Sequence, residues 1–423
     1  MVYTPSMRKV YSQSGFAHVW LILSVVFSIV AVTLVGFRVL GKKNGSSSNP
    51  VSTIVNKITG SEDKEETQRN SWLSKCETND RKPMTRLPMN MADVASFTPY
   101  GITAGAHVTP IDHLYFYPKE SPRDKYPVYA MADGYIVEVS SRGVQVDTGN
   151  ARPPEYRIIF QHSCQTVSYF DLVTKLDDSI KKTVGELKAN DSKAGLRIPV
   201  KAGQEIGRIG AQSLDTAVYN FSMTLKGFIS PDLYKGEFWK VHTDDFFSYF
   251  SQADQDQMQA KNSRKVKPYS GKIDYDQAGK LIGNWFKQGT NGYAGPDEYK
   301  NKAGENERGY WSGHLAIFYD AIEPTAVTVS LGDYKGPPKS FAVKGNAPDP
   351  ATVSKDSGVT KYELVAQVNR LSPTGGVSAP STQVFGVVLF QVLDGEKLKV
   401  EVFPDKTGKQ VSGFTSAAMT YER

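Results

Sequence analysis

Only 2 of the 423 residues are cysteine, which excludes a disulfide-built scaffold and leaves material for one bridge at most. Clustered positive charge is missing too. The formal net charge of +6 comes from 50 Lys+Arg against 44 Asp+Glu, and five of those bases (Arg8, Lys9, Arg38, Lys42, Lys43) lie in an acid-free stretch before residue 44. The rest of the chain is close to neutral, so the basic face that nucleic-acid binding requires is not present. No repeat of solenoid period occurs, and no phosphate loop or Ser-His-Asp pattern is found. Long apolar runs are scarce as well, with a single exception.

That exception is VWLILSVVFSIVAVTLVGF, 19 uncharged residues from Val19 to Phe37. At 1.5 Å per residue a helix here is about 28 Å long, close to the ~30 Å hydrocarbon core of a bilayer. A cleaved signal peptide is the rival reading, but its apolar region is shorter and ends in a small-x-small site. The expectation is a transmembrane helix over 19–40, after an N-terminal segment 1–18. Two bases before the span and three after it leave its orientation undecided by charge. Sparse cysteine usage fits an oxidising exterior, giving a single-pass cell-membrane protein with its bulk extracytoplasmic; two unrelated thiols in a cytoplasmic domain are the alternative.

Residues 41–70 are rich in Ser, Asn and alternating charges, and read as a linker. A first folded region is expected over 71–234, a connector over 235–267 and a C-terminal β domain over 268–423. Strand-like stretches punctuated by Gly, Pro and Asp turns make the fold class mainly β, with the last region an all-β barrel or sandwich. GKLIGNWF (279–286) weakly resembles the Gly-x-Trp first strand of lipocalin or avidin-like barrels, in which a basic residue of the final strand stacks on the Trp. Trp285 and Arg423 are the matching positions.

Chemistry concentrates in GAHVTPIDH, which holds His107, Asp112 and His113, and in FQHSC, which holds His162. Imidazole and carboxylate at this density suit a zinc site, for which His107, Asp112 and His162 are the candidate ligands. The alternative is that each His caps a turn or fills a polar pocket.

The order of these segments, followed by YPVYAMADGYIVEVSSRG, YRIIFQHSCQTVSYFDLV and IPVKAGQEIGRIGA, resembles the lysostaphin-type (LytM-like) zinc endopeptidase domain over about residues 101 to 226. The resemblance implies a lysostaphin-like β-sheet and barrel-sandwich hybrid fold, and a zinc-bound water at a His-x3-Asp pair and a closing His-x-His. Here the first pair is His107 and Asp112 with four residues between them, the second supporting His is replaced by Asp171, and the closing pair aligns with Val218-Tyr219-Asn220. Valine cannot ligate zinc, and a neutral amide is a poor ligand for it. The resemblance therefore implies a catalytically degenerate domain without a resident cofactor, whose groove is lined by His113, Asp171 and Asn220 and holds an envelope polymer or a protein partner. The alternatives are an active zinc endopeptidase with a rearranged site, and a structural surface or secretion-apparatus component. In the same frame, a Cys76–Cys164 bridge would pin the stalk to the sheet and stabilise the fold by about 4 kcal/mol.

Overall fold

The computed structural model describes residues 66–142, 145–147, 150–296, 309–345, 347–367 and 383–423. Twelve strands make up the first region: β1 (Val94–Thr98), β2 (Leu114–Pro118), β3 (Tyr126–Tyr129), β4 (Gly134–Ser141), β5 (Gln145–Asp147), β6 (Asn150–Arg152), β7 (Tyr156–Gln161), β8 (Thr166–Val173), β9 (Lys175–Leu176), β10 (Ser192–Val200), β11 (Glu205–Ile209) and β12 (Leu214–Asn220). Seven of them form one antiparallel sheet in the order β1-β2-β12-β8-β7-β4-β10, and β3-β11-β9 form a second. Side chains alternate across a strand, so each strand has two separate audiences. On one face Phe160 of β7 meets Phe170 of β8 at 5.1 Å between ring centroids, in the main apolar core. The other face is polar, and it carries the site described below.

Eight further strands close into a barrel: β13 (Gly283–Lys287), β14 (His314–Tyr319), β15 (Val327–Leu331), β16 (Lys339–Val343), β17 (Thr360–Ala366), β18 (Val384–Leu393), β19 (Lys397–Pro404) and β20 (Met419–Glu422). Closure leaves no free edge. Its interior is packed with apolar side chains, among them Trp285, Phe341, Leu364 and Phe390. One end is sealed by Arg423, whose guanidinium carbon lies 4.0 Å from the Trp285 ring centroid. The same guanidinium donates to the carbonyls of Ile282 (2.6 Å), Gln277 (2.5 Å) and Lys280 (2.8 Å). Gly283 is required there: its φ is +128°, and a Cβ would sit 2.3 Å from Asp276 Oδ1 and 2.5 Å from Arg423 Nη1.

The expected fold class needs one correction. Among the described residues no helix is long and apolar enough to cross a membrane. Gln252–Lys261 has 10 residues of polar sequence, about 15 Å of helix, while apolar side chains are committed to the sheets. The 19–40 segment lies outside the described residues, as do 1–18 and most of the linker. Residues 66–70 are helical and continue to Leu73.

Candidate functional site

The site begins with the segment between β1 and β2. Gly101 N donates to Ile111 O (2.8 Å) and Ile111 N to Ile102 O (3.0 Å), so the chain folds back on itself and returns to the sheet beside its point of departure. A Cβ on Gly101 would lie 2.3 Å from Lys272 O, which fixes glycine at the base of the loop. Ala106 and Val108 are buried with Trp311, seating the loop on the barrel side of the molecule. His107, Asp112 and His113 are thereby held at the polar face of the sheet, with the His107 and His113 rings 5.7 Å apart.

The polar face is a connected network. Asp112 Oδ2 accepts from the Tyr219 hydroxyl (3.2 Å), and its Oδ1 lies 3.2 Å from His113 Nδ1. Burial works against charge on Asp112, but Lys240 and His113 outweigh it and hold the carboxyl well below the usual range. The ionised carboxylate can only accept, so His113 Nδ1 carries a hydrogen, and Nε2 lies 3.0 Å from the Tyr115 hydroxyl. Asp215 Oδ2 is 3.7 Å from the same Nε2. Burial pushes the Asp215 carboxyl up to about 7, and Ser213 Oγ donates to it at 2.8 Å. Burial, then His113 and Lys240, push His107 down to about 3, so its ring is neutral.

Asp171 faces the same way from β8, directly across from Asp215 on β12. Its Oδ2 accepts from Arg142 and from Arg157 Nε (2.7 Å), and its Oδ1 from Leu172 N (2.8 Å). Burial opposes the charge, yet the two guanidiniums hold the carboxyl below its ordinary value. Arg157 also lies over the Tyr169 ring at 5.4 Å, and Tyr169 stacks on Tyr219 at 5.9 Å.

A second wall comes from the connector, where Glu237 takes the N-cap position of the short helix Phe238–His242, Trp239 lies in its first turn, and both line the pocket. Trp72 supplies a third, packed 5.3 Å from Trp239. Between the walls lies a narrow pocket with about 30 Å³ of free space. His107, Asp112, His113, Arg157, Tyr169 and Tyr219 line its sheet side.

Two of the expected residues are elsewhere, for the same reason. Arg157 and Ile159 of β7 line the pocket, so the alternation sends Phe160 and His162 to the opposite face. There His162 Nδ1 donates to Asp133 O (3.0 Å) and Nε2 accepts from Ser168 Oγ (2.8 Å), with burial pushing its pKa down to about 4. Asn220 likewise leaves the pocket to its neighbour Tyr219. Its amide donates to Asp244 (3.2 Å), and its carbonyl accepts from Ser222 N (3.1 Å). Asp171 is in the network under the pocket and does not line it.

The three candidate zinc ligands His107, Asp112 and His162 do not come together on one face of the sheet. Asp112, His113 and His162 are each engaged by protein partners, and His162 is across the sheet from the other two. Among the described residues no group of three or more His, Cys, Asp or Glu is placed to hold a metal ion. Cys76 and Cys164 are bonded to each other, with Cα atoms 5.1 Å apart. Sequence reasoning missed Arg157, Tyr169, Tyr219, Glu237, Trp72 and Trp239; the only early signal was the odd-numbered alternation Tyr169-Asp171 and Asp215-Tyr219 within runs that are otherwise apolar. No family model matches this chain, and no curated protein matches it.

Proposed function

We propose that the protein is an extracytoplasmic binding protein of the cell envelope, which holds an envelope polymer or a protein partner in the three-walled pocket and does not hydrolyse it. The observation that carries this reading is the pocket itself: polar groups of both signs, Arg157 with Asp112 and Glu237, stand among the rings of Tyr169, Tyr219, Trp72 and Trp239. A few placed polar groups against aromatic walls are the usual make-up of a binding site. Against hydrolysis by the family mechanism stands the separation of the candidate ligands, with His162 bonded to Ser168 and Asp133 across the sheet from His107 and Asp112. The Cys76–Cys164 bridge supports a location in an oxidising compartment. The resemblance of residues 101–226 to lysostaphin-type domains supports an envelope ligand.

Co-sedimentation of the full chain with isolated envelope polymer tests the reading. The expected result is retention that falls at least tenfold in Glu237→Gln and His107→Ala, with the polymer unshortened after prolonged incubation. Equal retention of the variants, or progressive release of soluble fragments, would overturn it.

A further inference from the structure

Trp72 belongs to the pocket but not to the sheet that carries most of it. It sits on segment 66–82, which joins no sheet among the described residues and lies over the sheet. The indole is buried against Trp239 and Phe238 (5.3 and 5.4 Å), and its Nε1 donates to Glu138 Oε2 at 2.7 Å. Gln161 Nε2 donates to the carbonyls of Trp72 (2.6 Å) and Ser74 (3.1 Å). Four residues beyond Trp72 comes the bridge to Cys164. After the bridge the segment is tied separately: Cys164 N donates to Thr78 O (2.8 Å), Ser163 Oγ to Asp80 O (2.5 Å), and Lys82 N to Thr166 Oγ1 (3.1 Å).

This division matters. Segment 77–82 stays docked through its own hydrogen bonds, whereas the Trp72 stretch is held by the burial of Trp72 in the apolar core, by the bonds from Gln161 and to Glu138, and by Arg197 Nη1 donating to Lys75 O at 2.8 Å. Cys76 and Cys164 are both half-buried, so the bridge is reachable from solvent.

We infer that the Cys76–Cys164 bridge is a redox-sensitive clamp that keeps Trp72 in place as a wall of the pocket, and that its reduction opens the pocket along the Trp72–Trp239 seam. A dithiol reductant is the co-reactant. One of its thiolates attacks a bridge sulfur, the mixed disulfide is resolved by its second thiol, and two electrons and two protons pass to Cys76 and Cys164 while the reductant closes to a disulfide. The inference goes beyond the binding proposal and rests on it only in taking this pocket as the ligand site; the geometry of the clamp stands without a ligand.

The test is hydrogen exchange on the full chain, oxidised and after treatment with dithiothreitol, together with acrylamide quenching of tryptophan fluorescence. Reduction is expected to speed exchange at least tenfold at residues 70–76 and 237–241, with β18 unchanged, and Cys76→Ser/Cys164→Ser should behave as the reduced protein does. The gain in quenching should vanish in Trp72→Phe. Unchanged exchange at 70–76 in either form, or loss of protection in β18 at the same time, would overturn the clamp. Because no ligand enters the measurement, that failure would leave the binding proposal standing, and failure of the co-sedimentation would not touch the clamp.

Discussion

The sheet and the barrel are both antiparallel and both bury side chains along their strands, yet they spend the buried positions differently. Inside the barrel the inward positions are filled with apolar side chains around Trp285, and a buried cation serves as a lid, Arg423 stacked on the ring and bonded to three carbonyls. On the polar face of the sheet, Asp112, Asp171 and Asp215 are each almost fully buried and are held by His113, Tyr219, Arg142, Arg157 and Ser213. An apolar filling would have been simpler and no less stable, since burying charge is costly even when it is paired. Apolar packing thus fills the barrel, whereas the polar face of the sheet holds paired, buried charges.

Substitutions at the two centres sharpen this contrast. Asp171→Ala leaves two guanidiniums facing each other in the interior and should cost about 3–5 kcal/mol in urea unfolding. Trp285→Ala empties the core of the barrel beneath Arg423 and should cost a similar amount, about 3–5 kcal/mol. The two differ in rescue. Replacing Asp171, Arg142 and Arg157 together by Leu and Met should recover most of the loss while abolishing retention on envelope polymer, whereas no repacking around residue 285 should alter retention. Recovery of both stability and retention in the triple variant would erase the distinction between the regions.

Further effects follow from single charges. Arg423→Met removes charged hydrogen bonds to three carbonyls at the barrel end and should cost about 2 kcal/mol, leaving ligand retention intact. Asp215→Asn acts through pH. The folded carboxyl is raised to about 7 from 3.8, so the native state binds more protons than the unfolded one between those values, and this contribution to stability is lost as pH rises through 7. His162, lowered from 6.5 to about 4, has the opposite sign and weakens the fold as pH falls across that window. In Asp215→Asn the first slope disappears, so the variant should gain about 4 kcal/mol over wild type at pH 8 relative to pH 4, read from urea midpoints.

What could be read in advance divides along physical lines. β7 and β18 match the stretches 156–161 and 384–393 expected from their β-branched and aromatic content. β8 and β12 did not stand out, because both faces of TVSYFDLV and LDTAVYN are buried and the polar residues that break up the apolar run belong to the hidden network. The cluster His107, Asp112 and His113 was visible because its members are close in sequence. Arg157, Tyr219 and Glu237 reach it only through strand order and the docking of the connector, which no local pattern records. His162 and Asn220 show how a single step of alternation decides a role: each is next to the face that matters, and each points the other way.

Zinc titration by calorimetry, with elemental analysis of the purified full chain, tests most directly whether this pocket is a binding site that works without a metal. The account predicts no stoichiometric zinc and no saturable heat at micromolar concentrations, in wild type and in His107→Ala alike. One zinc per chain, lost in His107→Ala, would contradict it.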